Sequence, residues 1–262
     1  MVDALKAVRL GFCLAALIGI LWAAVGCGDR SPAVILPTPT PVPDPAALLA
    51  ETAVNLRTVQ SARFQVAHQV GGMYLPDFSV RVAEIFGTWD ADAGAELAID
   101  AYLVSGPDAE MGSGSYVEVR AIVTPDGYFA TEPISGVWLK QPTQTAPIAV
   151  DRLQHMIADL VADMEHPELT GEELLDGVAI YRISGNVSAS AMDWLPVSAS
   201  AGQSLQIEIW TDMEQKLLRR LDAVGAIGEF DSSDTRRTIL LTDIGEPVTI
   251  AVPEQFIDLT GG

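Results

Sequence analysis

The residues able to do chemistry are few and scattered along the chain. Cys27 stands directly behind Ala23-Ala24-Val25-Gly26, which closes an uncharged run from Leu10 that Lys6 and Arg9 precede. A positive start, an apolar stretch and small residues before a cut form the layout of a secretory signal. His68, His155 and His166 have no cysteine beside them. His155 and His166 could share a face only on a helix that outlasts Pro167, so no zinc site is expected. Asp90, Asp92 and Glu96 around Gly94 faintly match a calcium loop. The third oxygen ligand before the glycine and the acidic residue at the far end are missing, so a tight acidic turn between strands is expected instead. Gly112-Ser113-Gly114 reads as a flexible loop, and Asn186-Val187-Ser188 fits a glycosylation triplet that is common by chance. Glu172 and Glu173 are adjacent, yet nothing places two carboxylates in one cleft. With no nucleophile elbow, Ser-x-x-Lys, His-Glu-x-x-His or phosphate loop, no catalytic residue, cofactor or metal is expected.

Ala24-Val25-Gly26-Cys27 resembles the lipobox of bacterial lipoproteins, departing from it at Ala24, where leucine is commoner. The resemblance implies that residues 1–26 are a signal peptide, that the Cys27 thiol receives a diacylglyceryl group, and that cleavage leaves Cys27 as the N-terminus. Two alternatives stay open, an uncleaved membrane anchor and an ordinary secretory signal with a free Cys27. All three readings put the rest of the chain outside the cytoplasm, and the lipobox reading implies a lipid anchor on the outer face of the cell membrane. Cys13 lies within the signal, so the processed chain has no second cysteine for a disulfide. The chain carries a net charge of −20, about −21 without the signal. Such acidity repels phosphate backbones and anionic head groups, which argues against nucleic acid as a partner. It also makes a monomer the expected state.

Pro32, Pro37, Pro39, Pro41 and Pro43 fall between Gly28 and Asp44. This composition favours polyproline II, and residues 27–44 read as a lipidated cysteine and tether. Fully extended, the stretch would reach on the order of 50 Å.

A single domain is expected over residues 45–262. Asp44 as N-cap and Pro45 at the first position predict a helix to about Ser61. From Phe64 to Val70 the apolar period becomes two, which predicts a strand. Further strands are predicted at Phe78–Val82, Tyr116–Val123, Tyr128–Thr131, Val137–Lys140, Val178–Val187, Leu205–Thr211, Leu217–Val224, Arg236–Asp243 and Val248–Val252. Pro125-Asp126-Gly127 marks a hairpin turn. Leu153, Met156, Ile157, Leu160, Val161 and Met164 make an apolar helical stripe from Asp151 to about Glu165. A short helical turn is expected at Ala191–Leu195. Two helices among roughly ten strands indicate an α+β fold with helices on one face of a curved antiparallel sheet.

Several segments in order resemble the LppX/LprAFG family of envelope lipoproteins. They are Tyr128–Pro133 with Gly136-Val137-Trp138-Leu139-Lys140, Leu175–Val178 with Tyr181–Gly185, Ile207–Asp212 with Leu217–Arg220, and Thr242–Ile250 with Pro253. The opening stretch Leu48–Val70 also fits, whereas Ile85–Gly114 matches poorly. The resemblance implies a half-barrel of the LolA/LppX type, a strongly curved antiparallel sheet wrapped around helices. It also implies an apolar cavity for acyl chains of lipids or lipoglycans. Candidate lining residues are Phe64, Val66, Val80, Val82, Met156, Ile157, Leu160 and Val161, while Trp138 and Trp210 are expected to pin the sheet.

The function expected is binding and carriage or transfer of lipids by a membrane-anchored lipoprotein, with an envelope transporter as candidate protein partner. The alternative is a sensing or interaction module without transfer activity, and an envelope hydrolase is a third reading.

Overall fold

The computed structural model describes residues 42–75, 79–106, 113–146, 152–192, 202–228 and 230–261. Cys27, the signal and most of the tether lie outside them, and contacts set residues 1–42 apart from a compact unit Pro43–Gly262.

Helix α1 spans Pro45–Arg57, with Asp44 accepting from the Ala46 N–H as N-cap. Leu48, Leu49, Thr52, Ala53 and Leu56 form its buried side. Helix α2, Leu153–Ala162, is shorter than its stripe predicts, because His166 takes a left-handed φ of 51° and Pro167 follows. A 3-10 turn at Ala189–Met192 starts two residues before the short helical turn expected at Ala191–Leu195 and overlaps its beginning; the rest of that stretch lies outside the described residues.

The strands are β1 (Ser61–Val70), β2 (Met73–Leu75), β3 (Val80–Asp90), β4 (Gly94–Leu103), β5 (Ser115–Thr124), β6 (Gly127–Thr131) and β7 (Trp138–Gln141). They continue as β8 (Glu165–Leu175), β9 (Val178–Ser188), β10 (Ser204–Asp212), β11 (Leu218–Val224), β12 (Arg236–Thr242) and β13 (Ile257–Asp258). Among the described residues they form one sheet in the order β13-β7-β6-β5-β4-β3-β1-β12-β11-β10-β9-β8, with β2 also paired to β3. All pairs are antiparallel except β13 with β7. The first and last strands of this path do not pair with each other, so the sheet is open.

A continuous apolar row crosses its inner face. Ile99, Ile85, Val66, Ile239, Leu221, Ile209 and Ile183 stand in register across β4, β3, β1, β12, β11, β10 and β9. Inner-face residues from β4 to β9 share one core with α1 and α2, which requires the sheet to curve around the side that carries the helices.

Three departures from the sequence expectations have physical causes. Ile85–Gly114 holds the second half of β3 and all of β4, long paired strands joined by a turn in which Asp90 accepts from the Asp92 and Ala93 N–H groups. This is the acidic turn expected there. Strand β8 follows α2 almost directly and is too charged to show an apolar alternation. As an edge strand it tolerates Pro167 and Gly171, and its pairing slips around both. The strand expected at Val248–Val252 does not form. That segment links β12 to β13, which lies at one end of the sheet. It passes instead along the outer face, and Phe256 stacks edge-on to Phe129 at 5.2 Å.

Inside, the Thr52 hydroxyl of α1 meets the Thr211 hydroxyl of β10 at 2.8 Å, both fully buried. Thr52→Val leaves Thr211 with only the longer bond to the Leu217 carbonyl, 3.3 Å. A loss of about 1–2 kcal/mol is expected, read from the urea midpoint. The Arg57–Asp159 pair, 2.5 Å, also joins α1 to α2 but is solvent-exposed, so it contributes little.

Candidate functional site: an apolar chamber under the sheet

Three successive inner rows of the sheet enclose a cavity of about 70 Å³. The lowest row brings Leu97 and Phe64 beside Gly87. The middle row is Ile99, Ile85, Val66, Ile239 and Leu221, and the top row is His68, Arg237 and Ala223. Leu153 and Ile157 of α2, Met192 and Met73 complete the wall. A methyl group at Gly87 would drive into the Phe64 ring, so the glycine is what lets that ring lie flat across β3. Below, Phe64 packs on Trp89 at 5.8 Å. Trp89 is 1 % exposed, and Ala62 and Leu56 are fully buried.

The two polar side chains in the wall are cross-strand partners at its upper end. The His68 Nδ1 lies 3.0 Å from the Ala83 carbonyl. A carbonyl only accepts, so Nδ1–H donates and Nε2 keeps its lone pair. Burial, reinforced by the charge of Arg237, pushes the His68 pKa down from 6.5 to about 4, with Arg81 acting in the same direction. Arg237 pairs with Asp231, both side chains at most 7 % exposed, and it donates to the Gly225 carbonyl at 3.1 Å. Asp231 also accepts from the Ile227 and Gly228 N–H groups. Burial lowers the Arg237 pKa, and Asp231 opposes that shift.

Of the residues singled out from the sequence, Phe64, Val66 and Ile157 line this chamber. Val80, Val82, Leu160 and Val161 are buried in the same core outside the chamber wall, and Met156 packs against that core half-buried. Sequence reasoning missed Ile85, Leu97, Ile99, Leu221 and Ile239, which become neighbours only through strand register. It also left Arg237 and His68 unassigned. Their types alone, charged or polar at inward positions of alternating strands, were the available signal.

A wider groove of about 710 Å³ runs over the outer face between the sheet and Pro247–Thr249. Its charged residues are paired, Arg63 with Asp243 and Glu96 with Arg120. Trp210 also faces outward. Its Nε1–H donates to Glu173 and Arg220 stacks 4.6 Å above its ring. Trp138 lies beneath Arg120 at 6.0 Å. Among the described residues no group of three His, Cys, Asp or Glu could hold a metal, and no helix is long and apolar enough to cross a membrane.

The fold has solved relatives. LprF from Mycobacterium bovis superposes with a TM-score of 0.61 at 17 % identity, over 82 % of this chain and 99 % of that one. The lipoprotein LppX of Mycobacterium tuberculosis gives 0.52 at 16 % identity, over 79 % and 100 %. No curated protein sequence matches the chain. The model of the LppX_LprAFG lipoproteins matches residues 44–250, from the cap of α1 to beyond β12, and the chain belongs to that family.

Proposed function

We propose that this protein is an envelope lipoprotein, anchored through a diacylated Cys27, that binds lipid acyl chains in the chamber and carries or transfers lipids or lipoglycans. The curved sheet acts as a half-barrel wrapped around α1 and α2. The observation that carries this reading is an unfilled chamber, apolar but for His68 and Arg237, in a member of a lipoprotein family. Each methylene it takes from water contributes about 0.8 kcal/mol, so a chain is held without any reacting group. The cavity is under half of the roughly 150 Å³ that accepts a benzene ring, so a longer chain enters by displacing side chains. Met73 and Met192, unbranched and flexible, are suited to give way.

Native mass spectrometry of residues 43–262, exported and purified without detergent, tests the reading. A discrete added mass that extracts into solvent as an acyl lipid supports it. A bare mass with no uptake of added lipid overturns it, and the domain is then an interaction or sensing module. Ile157→Trp places an indole in the chamber and is expected to weaken uptake at least about tenfold, some 1.4 kcal/mol, in a fluorescent fatty-acid titration. Unchanged uptake would put the ligand elsewhere.

A further inference from the structure

The segment Val248-Thr249-Ile250-Ala251-Val252 is rich in β-branched residues, yet it pairs with no strand. Among the described residues none of its backbone N–H or C=O groups makes a hydrogen bond. Pro247 and Pro253 bracket it, and the five amides between them can all donate. Val248 and Ile250 turn half-buried toward the sheet, whereas Thr249 and Ala251 are exposed. In an extended chain the backbone groups lie at right angles to the side chains, so here they point sideways, along the outer face. The groove of about 710 Å³ lies beside the segment, within the roughly 300–1,000 Å³ of ligand sites. Its floor is a cross-strand row, Leu240, Gln65, Phe86 and Ala98 of β12, β1, β3 and β4. Phe86 is 42 % exposed. Three strand spacings make this row roughly 14 Å long, and four residue rises make Val248–Val252 roughly 13 Å. The connection leaves β12 and ends at β13, beyond β1, β3 and β4 in the strand order, so it runs along the row. Glu246 and Glu254 flank the segment and form no ion pair among the described residues.

We propose that Val248–Val252 is a strand-addition site, at which an extended segment of a partner protein pairs with it and lies in the groove. Main-chain hydrogen bonds join the two chains, and alternate side chains of the added segment rest on Phe86, Ala98 and Leu240. A lysine or arginine at each end of that segment meets Glu246 and Glu254, in keeping with the net charge of −20. The tether of this chain is not the occupant, because its prolines favour a helix of three residues per turn over a strand. The site is independent of lipid binding, since the groove lies on the outer face and the chamber on the inner one.

The test uses the full chain in detergent micelles and an array of seven-residue peptides. Each peptide has lysine at both ends and Val, Ile, Thr, Tyr or Ser at the inner positions. A subset with alternating apolar and polar residues should bind, and the same inner sequences flanked by glutamate should bind at least tenfold more weakly. Hydrogen exchange of the free chain should be fast throughout Val248–Val252, and a saturating bound peptide should slow every second amide there at least tenfold. Only alternate amides face the groove, so one of Thr249→Pro and Ile250→Pro should weaken binding at least tenfold and the other should not. Urea midpoints show that both variants are folded, and N-methylation of alternate peptide amides repeats the parity test on the ligand. An array without binders, or binders that leave these amides unprotected, overturns the proposal. Binders insensitive to the parity of N-methylation overturn the ladder. Slow exchange of the segment in the full chain without peptide overturns it as well, because the chain then fills its own groove. None of these outcomes bears on lipid uptake by the chamber.

Discussion

Asp231→Ala is expected to destabilise the protein by about 3–5 kcal/mol, the range for removing one partner of a buried ion pair. Both side chains of the Arg237–Asp231 pair are at most 7 % exposed, so water cannot replace the lost carboxylate. The same change strips the Ile227 and Gly228 N–H groups of their acceptor. Ile227 is itself 1 % exposed and part of the core, so the loop that carries it loses its anchor as well. A double variant, Arg237→Met with Asp231→Ala, removes both charges and should recover most of the loss, because the remaining cost is packing and two amide hydrogen bonds. Urea denaturation of the three proteins decides it. A single-variant loss below about 1 kcal/mol would mean that the pair is hydrated, and the upper wall of the chamber is then soft rather than fixed.

What the sequence revealed depended on whether a signal was local. Asp44-Pro45 announced α1, and the alternation of Phe64, Val66, His68 and Val70 announced β1, because cap chemistry and side-chain period belong to the segment itself. The Pro125-Asp126-Gly127 turn and the hairpin of β5 and β6 are of the same kind. Strand β8 was hidden because an edge strand with one solvated side can carry Glu165, Glu168, Glu172 and Glu173 and still pair. Val248–Val252 shows the converse. Val248 and Ile250 are half-buried while Thr249, Ala251 and Val252 are exposed, so the period of two holds only at the start of the segment, where it records one side turned toward the sheet rather than a hydrogen-bonded strand. The chamber was the least legible part. Phe64, Val66 and Ile157 could be named from their own elements. Ile85, Leu97, Ile239 and Leu221 join them only through the register of four separate strand pairs, which no local pattern encodes. The same pairings set His68 against Arg237, and that juxtaposition governs how the domain responds to acid.

Stability is expected to fall between pH 6.5 and pH 4 by up to about 3 kcal/mol through His68 alone. In the unfolded chain this imidazole takes up a proton near its ordinary 6.5, whereas in the folded chain burial and Arg237 hold the pKa near 4. Across that window the unfolded state therefore binds a proton that the native state does not, and acidification favours unfolding. Above 6.5 neither state is protonated and below 4 both are, so the contribution levels off at each end. The charged groups acting on the ring are Arg237 and Arg81, which oppose its protonation, and Asp231, which favours it. His68→Gln can keep a donor for the Ala83 carbonyl and cannot titrate, so the difference between wild-type and variant stability isolates the histidine. Carboxylates held below their ordinary pKa, Asp212 by backbone N–H groups and Arg219 and Glu132 by Ser135, lose their contributions at lower pH and cancel in that difference. Urea midpoints at half-unit steps from pH 4 to pH 7 give the curve. A difference that stays flat over this range would mean that water reaches the ring and that the upper end of the chamber is open to solvent.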